Sequence, residues 1–285
     1  MTQTTDVTII GGGPAGLACA IWLKKLGVAH VLLEGSGDLG GLQTRSPYEN
    51  LWLPGVQGKT GQEVAADLSR HAQDVKVTLV TSCPAHEIFT TAGGYRIATP
   101  QGDFITRQVV VATGTQPRTG GFTPSGTVAI GPGTPMEALE VAGKRVAILG
   151  GGDNAFDQAA FVRARGGEVT VFSRSAPRAQ KMLQATADVR VVIGDYAADQ
   201  ETMTVASRLG REAFDAFGVM YGFEAVVPEG LNPRLDNGYI AVDRLGETSL
   251  PNVYACGEVT DYWHPCVATA IAHGVQVAKQ ISLKL

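Results

Sequence analysis

The stretch VTIIGGGPAG, residues 7–16, decides the fold of this chain. The run VTII, apolar except for Thr8, is typical of a buried strand and leads into Gly11, Gly13 and Gly16, which fit the spacing G-x-G-x-x-G. In this pattern the first glycine allows a tight turn, the second lets phosphate oxygens approach bare backbone, and the third lets helix and strand pack closely. The stretch therefore predicts a strand, turn and helix whose N-terminus binds the pyrophosphate of a dinucleotide.

A carboxylate at the end of the next predicted strand strengthens this prediction. Residues 30–33, HVLL, form that strand, and Glu34 follows it directly. In dinucleotide-binding units an acidic residue about 20 residues beyond the glycines accepts a hydrogen bond from a ribose hydroxyl. We therefore expect Glu34 to bind the ribose.

Length and composition limit the classes of protein. At 285 residues the chain is long enough for two modest cores. A formal net charge of -4 provides no basic patch for nucleic acid or an anionic membrane. No apolar run is long enough to cross a bilayer, and no signal peptide precedes the first strand, so we expect a cytoplasmic protein.

The cysteines are too scattered to form a metal site or a disulfide framework. Cys19, Cys83, Cys256 and Cys266 include no C-x-x-C pair and no zinc-finger spacing. We therefore expect no bound metal.

The opening pattern recurs in the second half of the chain. Residues 145–149, RVAIL, run into GGGDNA at 150–155, which fits G-x-G-x-x-A, and a predicted helix at 156–164 and strand at 169–172 follow. The segment 120–135, rich in Gly and Pro, separates the two copies. Two copies of one unit predict two dinucleotide-binding domains.

The remaining segments set the expected domain limits. Short β segments between residues 75 and 111 predict a small antiparallel crossover layered on the first sheet. Residues 188–239 read as strands and hairpins of the second domain, with a turn at Asn237-Gly238. An apolar strand near 252–256 and a last helix at 267–283 return to the first domain. We expect domains at residues 1–116 plus 246–285, and at 120–243.

The second copy ends its strand pair in SRSAPR, residues 173–178, instead of a carboxylate. An arginine here can pair with a ribose 2′-phosphate, which a carboxylate would repel. The pattern favours NADPH over NADH. The alternative is that Arg174 and Arg178 lie on a solvated loop.

Taken together, these motifs resemble the thioredoxin reductase branch of the pyridine nucleotide-disulfide oxidoreductases over nearly the whole chain. The resemblance is carried by residues 11–16 with Glu34, 40–41, 49–50, 54–55, 112–114, 150–155 and 257–258. It implies an α/β fold of two Rossmann-like, three-layer ββα dinucleotide-binding domains, with FAD in the first domain and NADPH in the second. It also implies a homodimer.

The resemblance further implies two sets of binding residues. The expected FAD-binding residues are Gly11, Gly13, Pro14, Ala15, Gly16, Glu34, Gly40, Gly41, Leu42, Gln43, Thr44, Asn50, Ala112, Thr113, Gly114, Gly257, Glu258, Cys266 and Val267. The expected NADPH-binding residues are Gly150, Gly152, Asp153, Asn154, Ala155, Ser173, Arg174, Ser175 and Arg178.

Three departures from the family pattern bear on function. Family members that reduce thioredoxin carry a C-x-x-C ahead of the second glycine motif, where this chain has VAIGPGTP at 128–135. Disulfide exchange needs an attacking thiolate, so we expect no ordinary thioredoxin reduction. Glu258 stands where the family usually has Asp, and Ser173 and Ser175 replace two of its basic positions.

The candidate catalytic side chains are Cys266 and His264, in addition to the flavin, which is the main redox centre. Cys266 stands before the last helix, where the helix N-terminus would lower a thiol pKa, and His264 is placed to relay a proton. The alternatives are a small residue filling space under the flavin for Cys266, and a surface or cap role for His264.

Three functions fit these observations. The leading hypothesis is an oxidoreductase that passes electrons from NAD(P)H through FAD to a small molecule or small redox protein other than thioredoxin. The second is a flavin-binding redox sensor or scaffold of low turnover. The third is a reductase of ferredoxin or flavodoxin, or of a small disulfide through Cys266 alone. Because the chain ends at Leu285, directly after the last predicted helix, we expect an open flavin face.

Overall fold

The computed structural model of the protein describes residues 2–260 and 264–285. The helices in this part of the chain are α1 (Pro14–Lys25), α2 (Gly61–Asp74), α3 (Thr134–Glu137), α4 (Asp153–Ala164), α5 (Lys181–Ala187) and α6 (Val267–Lys284). The strands are β1 (Thr2–Ile10), β2 (His30–Leu33), β3 (Leu79–Val80), β4 (Glu87–Thr91), β5 (Gly94–Thr99), β6 (Gly102–Val111), β7 (Thr115–Pro117), β8 (Val128–Ile130), β9 (Arg145–Leu149), β10 (Glu168–Ser173), β11 (Arg190–Ile193), β12 (Tyr196–Asp199), β13 (Thr204–Ser207), β14 (Gly210–Ala213), β15 (Ala216–Val219), β16 (Phe223–Ala225), β17 (Leu235–Asp236), β18 (Tyr239–Ile240) and β19 (Val253–Ala255).

The chain folds into two compact units. The first unit comprises Met1–Gln116 and Glu224–Leu285, and the second comprises Pro117–Phe223. Strands β7 and β16 carry the chain between the units and pair with each other.

The first unit is built on a mixed sheet with the order β3-β2-β1-β6-β5-β4, to which β19 adds by pairing with β6. Strands β3, β2, β1, β6 and β19 run parallel, whereas β4 and β5 are antiparallel. The predicted antiparallel strands β4 and β5 extend from the first half of the long strand β6, which pairs with β5 on one side and with β1 on the other. Their buried Ile88 and Ile97 share one core with Val31, Leu33 and Val111 of the parallel strands.

Helix α1 lies in the core of this unit, as its nearly all-apolar sequence predicts. Eight of its twelve residues are buried. Helix α6 packs against α1 so closely that a Cβ added at Gly274 would overlap the Ala15 carbonyl oxygen and lie 3.1 Å from the Cys19 nitrogen. The absence of a side chain at Gly274 therefore sets the distance between the two helices.

The second unit repeats the arrangement on a parallel sheet with the order β11-β10-β9-β15-β8. Helix α4 follows β9, as the second glycine motif predicts, and packs its buried Phe156 into the core. A separate antiparallel sheet of β12, β13 and β14 encloses an aromatic cluster that includes Phe172, Phe214 and Phe217.

The structure corrects the expected end of the second domain. Residues 224–243, predicted to lie in it, belong to the first unit. The Ile88 N–H donates to the Glu229 carbonyl at 2.9 Å, and Leu231 and Ile240 are buried in the same core as Ile88. These backbone and apolar groups find their partners in the first unit, so the boundary falls at Phe223. The hairpin at Asn237-Gly238 is confirmed, since both residues have the positive φ that its turn requires.

Across residues 2–260 and 264–285, no helix combines the length and apolar character needed to cross a bilayer. In the same residues, His, Cys, Asp and Glu do not gather in groups of three or more suited to a metal ion.

Candidate functional site

A cleft of about 400 Å³ opens in the first unit where β1, β6 and β19 end. Its volume is in the range of sites for small organic ligands. Most of the expected FAD-binding residues line it, namely Gly11, Gly13, Pro14, Ala15, Glu34, Gly41, Leu42, Gln43, Thr44, Ala112, Thr113, Gly114, Gly257, Glu258 and Val267.

The first glycine motif forms the floor of this cleft. A Cβ at Gly11, whose φ is 108°, would overlap the Ala112 carbonyl oxygen, and one at Gly16 would overlap the Gly11 carbonyl oxygen. Gly16 does not line the cleft, because it is the point where α1 meets the turn. A Cβ at Gly13 would meet only the Gly41 Cα, at 3.8 Å. Gly13 therefore leaves open backbone for a close approach, which is what a phosphate requires.

The Glu34 carboxylate is held at one end of the cleft by three donors. The Gly12 N–H donates to Oε2 at 2.6 Å, and the N–H and hydroxyl of Ser36 donate to Oε1 at 2.7 and 2.8 Å. A carboxylate has about four acceptor positions, so one remains for a ribose hydroxyl. Ser36 and Asp38 also line this end, and sequence reasoning missed both.

Glu258 lies at the turn that follows β19. The Thr115 hydroxyl donates to its Oε2 at 3.4 Å, and burial raises the pKa of Glu258. The neighbouring Gly257 N–H donates to Nδ1 of His273 on α6, at 3.3 Å. Burial lowers the pKa of His273 to about 4, so its ring is neutral and Nδ1 accepts.

Two expected FAD-binding residues support the cleft from outside it. The Gly40 N–H donates to the Gly12 carbonyl at 2.8 Å, and the Asn50 side-chain amide donates to Gln43 Oε1 at 3.2 Å. Neither residue lines the cleft. They hold the loop of residues 41–45 against the glycine turn, and Arg45, which sequence reasoning missed, reaches the cleft from that loop.

The structure does not bring Cys266 or His264 into the cleft. Cys266 is half-buried at the start of α6, where its Sγ lies 3.3 Å from the Thr269 hydroxyl. His264 is exposed, and its carbonyl accepts a hydrogen bond from the Thr269 hydroxyl at 2.6 Å. Cys266 is the N-cap residue of α6, and the His264 carbonyl binds a side chain of the first turn of that helix.

A second cleft, of about 550 Å³, lies in the second unit where β8, β9, β10 and β15 end. All the residues expected to bind NADPH line it. Sequence reasoning missed several others, namely Gly131, Pro132, Gly151, Ala176, Tyr196, Met220, Tyr221, Gly222 and Phe223.

The glycine turn of this cleft repeats that of the first. A Cβ at Gly150, whose φ is 145°, would overlap the Met220 carbonyl oxygen, whereas one at Gly152 would meet nothing within 4 Å. Gly152 therefore offers the open backbone here. The Asp153 carboxylate is turned to Gln180, accepting from its N–H at 2.8 Å and its side-chain amide at 3.1 Å.

The two arginines give the second cleft its charge. None of the ion pairs among the described residues involves Arg174 or Arg178. The Ser173 hydroxyl donates to the Ser175 carbonyl at 2.8 Å and so shapes the loop that carries them. The second cleft therefore presents two cations without carboxylate partners, whereas the first presents Glu34 and Asp38.

Comparison with known proteins gives a consistent result. The chain is 28% identical to a ferredoxin–NADP reductase of Limosilactobacillus fermentum, over 92% of this chain and 88% of the relative. It is 27% identical to a thioredoxin reductase of Peptoclostridium litorale, over 98% and 96%. The crystal structure of Lactococcus lactis thioredoxin reductase superposes with a TM-score of 0.85 at 23% identity, covering 99% of this chain and 100% of that one.

The structural match confirms the predicted fold, with two dinucleotide-binding domains of the thioredoxin reductase type. Residues 5–274 match the sequence family described as pyridine nucleotide-disulphide oxidoreductase. Because this match spans both glycine motifs and both clefts, the chain belongs to the pyridine nucleotide-disulphide oxidoreductase family.

Proposed function

We propose that the protein is an FAD-dependent oxidoreductase that takes electrons from NADPH and passes them to an acceptor other than thioredoxin. The observation that carries this proposal is the pair of clefts. Each opens behind a glycine turn at the carboxyl ends of parallel strands. Three carboxylates and Arg45 line the first cleft, whereas two arginines and Asp153 line the second, so the net formal charges of the two linings are opposite. An acidic ribose site suits a nucleotide without a 2′-phosphate, and a cationic site suits one that carries it.

The first cleft fits FAD by the chemistry of its lining. Gly13 offers bare backbone to a pyrophosphate, and Glu34 keeps an acceptor position for the adenosine ribose. Glu258 and Thr115 offer polar atoms at another turn of the cleft. When bound, FAD supplies hydride acceptance and electron release, and the protein holds and orients it.

The second cleft fits NADPH. Gly152 offers the bare backbone, and Arg174 and Arg178 offer guanidinium groups to the 2′-phosphate. The ferredoxin–NADP reductase relative is named for the same nucleotide. In this proposal the two arginines bind NADPH, in contrast to the alternative in which they only lie on a solvated loop.

The state of the cysteines supports an acceptor other than thioredoxin. Cys19, Cys83 and Cys256 are fully buried. Burial raises the pKa of Cys19 well above its usual value and that of Cys256 to about 12. Disulfide exchange requires an accessible thiolate. Cys19 and Cys256 do not form one near neutral pH, and the burial of Cys83 keeps it from a protein partner. Cys266 remains, but it has no second cysteine three positions before or after it to form a C-x-x-C pair.

The proposed setting is a homodimer in the cytoplasm. The resemblance to the thioredoxin reductase branch supports the dimer. Four free cysteines and the use of NADPH support a reducing compartment.

The experiment is anaerobic mixing of the purified protein with NADPH or NADH while the flavin absorbance band is recorded. We expect NADPH to bleach the flavin within seconds and NADH to act more slowly at equal concentration. The bleached protein should then pass no electrons to thioredoxin, but should be reoxidised by at least one of a ferredoxin, a flavodoxin and a quinone. Failure of both nucleotides to bleach the flavin would favour a redox sensor and overturn the proposal.

A further inference from the structure

The second cleft contains an aromatic pair for which the proposed function gives no role. Tyr196 begins β12 and Tyr221 follows β15, yet both line the cleft and their hydroxyl oxygens lie 3.4 Å apart. The Tyr196 ring packs on Phe172 with centroids 5.6 Å apart, and the Tyr221 ring packs on Phe122 at 6.3 Å. The buried Phe172 and the half-buried Phe122 therefore hold the two tyrosine rings in place.

The guanidinium of Arg174 lies over these two rings. Its central carbon is 5.6 Å from the centroid of Tyr221 and 6.0 Å from that of Tyr196. A guanidinium within about 6 Å of a ring centroid is attracted by the negative face of the ring. Since Arg174 belongs to no ion pair among the described residues, the rings are the contacts that orient its charge.

We infer that Tyr196 and Tyr221 are positioning residues that hold the Arg174 guanidinium ready for a 2′-phosphate and so set the cofactor preference of the second cleft. This inference rests on the proposed function, because it requires that the second cleft bind NADPH. It extends that function by adding two side chains that position the phosphate-binding arginine but do not themselves bind the phosphate.

The need for such support follows from the loop itself. Ser175 and Ser173 carry no charge, and the Ser173 hydroxyl is already bonded within the loop. Arg174 is exposed, and an arginine side chain that moves freely loses much of its rotamer entropy when it is fixed. Rings that fix the side chain before the nucleotide arrives remove much of that cost from binding.

The test compares two nucleotides that differ only in the 2′-phosphate, adenosine 2′,5′-bisphosphate and 5′-AMP. Their dissociation constants are measured by calorimetry on the full-length, FAD-loaded protein. The variants are Tyr221→Leu, Tyr196→Leu and Tyr196→Phe, each alone and combined with Arg174→Ala. FAD content and circular dichroism report folding. The phenylalanine variant keeps the ring and so retains the contact if the leucine variant at that position does not fold.

We expect each leucine variant to lower the affinity for the bisphosphate about 3–10-fold, as the loss of a cation–π contact predicts. The affinity for 5′-AMP should fall less than about twofold. Tyr196→Phe should match the wild type. In the Arg174→Ala background the leucine changes should add nothing, because the group they position is gone. As a matched control, Phe161→Leu removes the ring under Arg165, 5.1 Å away and outside the cleft, and should change neither nucleotide.

Equal losses for both nucleotides would overturn the inference, since the rings would then serve the adenine. It also fails if the leucine variants bind like the wild type, or if their effect persists without Arg174. These results leave the wild-type preference for the bisphosphate intact, and with it the proposed function. A wild-type protein that binds both nucleotides equally would instead refute NADPH as the cofactor, and the inference with it.

Discussion

Replacing Gly274 with Ala should loosen the first unit, although alanine is the better helix former. Gly274 lies inside α6, where alanine gains about 1 kcal/mol over glycine from helix propensity alone. The added Cβ, however, would overlap the Ala15 carbonyl oxygen and lie 3.0 Å from the Ala15 carbonyl carbon. Both are backbone atoms of α1, so no side-chain rotation relieves the overlap and the helices must separate. Overpacking of this kind costs about 1–3 kcal/mol.

With the upper end of that range, the net loss is about 2 kcal/mol, which lowers the melting temperature by about 4–8 °C for folding units of about 150–250 residues. The assay is the rise in flavin fluorescence as FAD leaves the heated holoprotein, because Ala15 and Ala270 of the two helices line the FAD cleft. The control is Gly93→Ala in the same unit, where a Cβ meets nothing within 4 Å. If Gly274→Ala melts at or above the wild-type temperature, the close crossing of α1 and α6 is refuted.

The other predictions concern single side chains. Burial lowers the pKa of His273 to about 4, so between about pH 6.5 and pH 4 the unfolded state binds a proton that the folded state does not bind. The free energy of unfolding therefore falls as the pH drops through this range, by as much as about 3 kcal/mol. His273→Gln should remove that part of the acid sensitivity in urea unfolding measured at pH 7 and pH 4.5, and an unchanged pH profile would contradict it. Cys266→Ser should leave the rate of flavin reduction by NADPH within about twofold of the wild type, since serine is a strongly preferred helix cap and Cys266 does not line the cleft; a loss of small-disulfide reduction in this variant alone would instead identify a single-cysteine reductase.

The glycine motifs show why much of the site could be predicted from sequence. Gly11 and Gly150 need a bare Cα because the carbonyls of Ala112 and Met220 lie against them, but their positive φ is a requirement local to a short stretch of chain. The same is true of Glu34, which follows its strand directly. A prediction of this kind depends on spacing, and spacing is visible in sequence.

The residues that were missed depend on long-range packing. Tyr221 and Tyr196 reach the second cleft from the ends of two different sheets. His273 lies within α6 and accepts its hydrogen bond from Gly257, which is 16 residues earlier in the chain. No short pattern links such positions. The assignment of residues 224–243 to the first unit also depends on long-range packing. The sequence alone does not show which of the two cores buries Leu231 and Ile240.

The most direct test of the account is a crossed measurement of cofactor binding with two variants. Removing the Glu34 carboxylate or the Arg174 guanidinium should cost about tenfold or more in affinity for the nucleotide that each binds, as for other charged hydrogen-bond partners. We predict that Glu34→Ala loses FAD but still binds NADPH, and that Arg174→Ala keeps FAD while it loses NADPH far more than NADH. A wild-type protein that binds no FAD, or two variants that lose the same cofactor, would contradict the claim that each cleft has its own occupant.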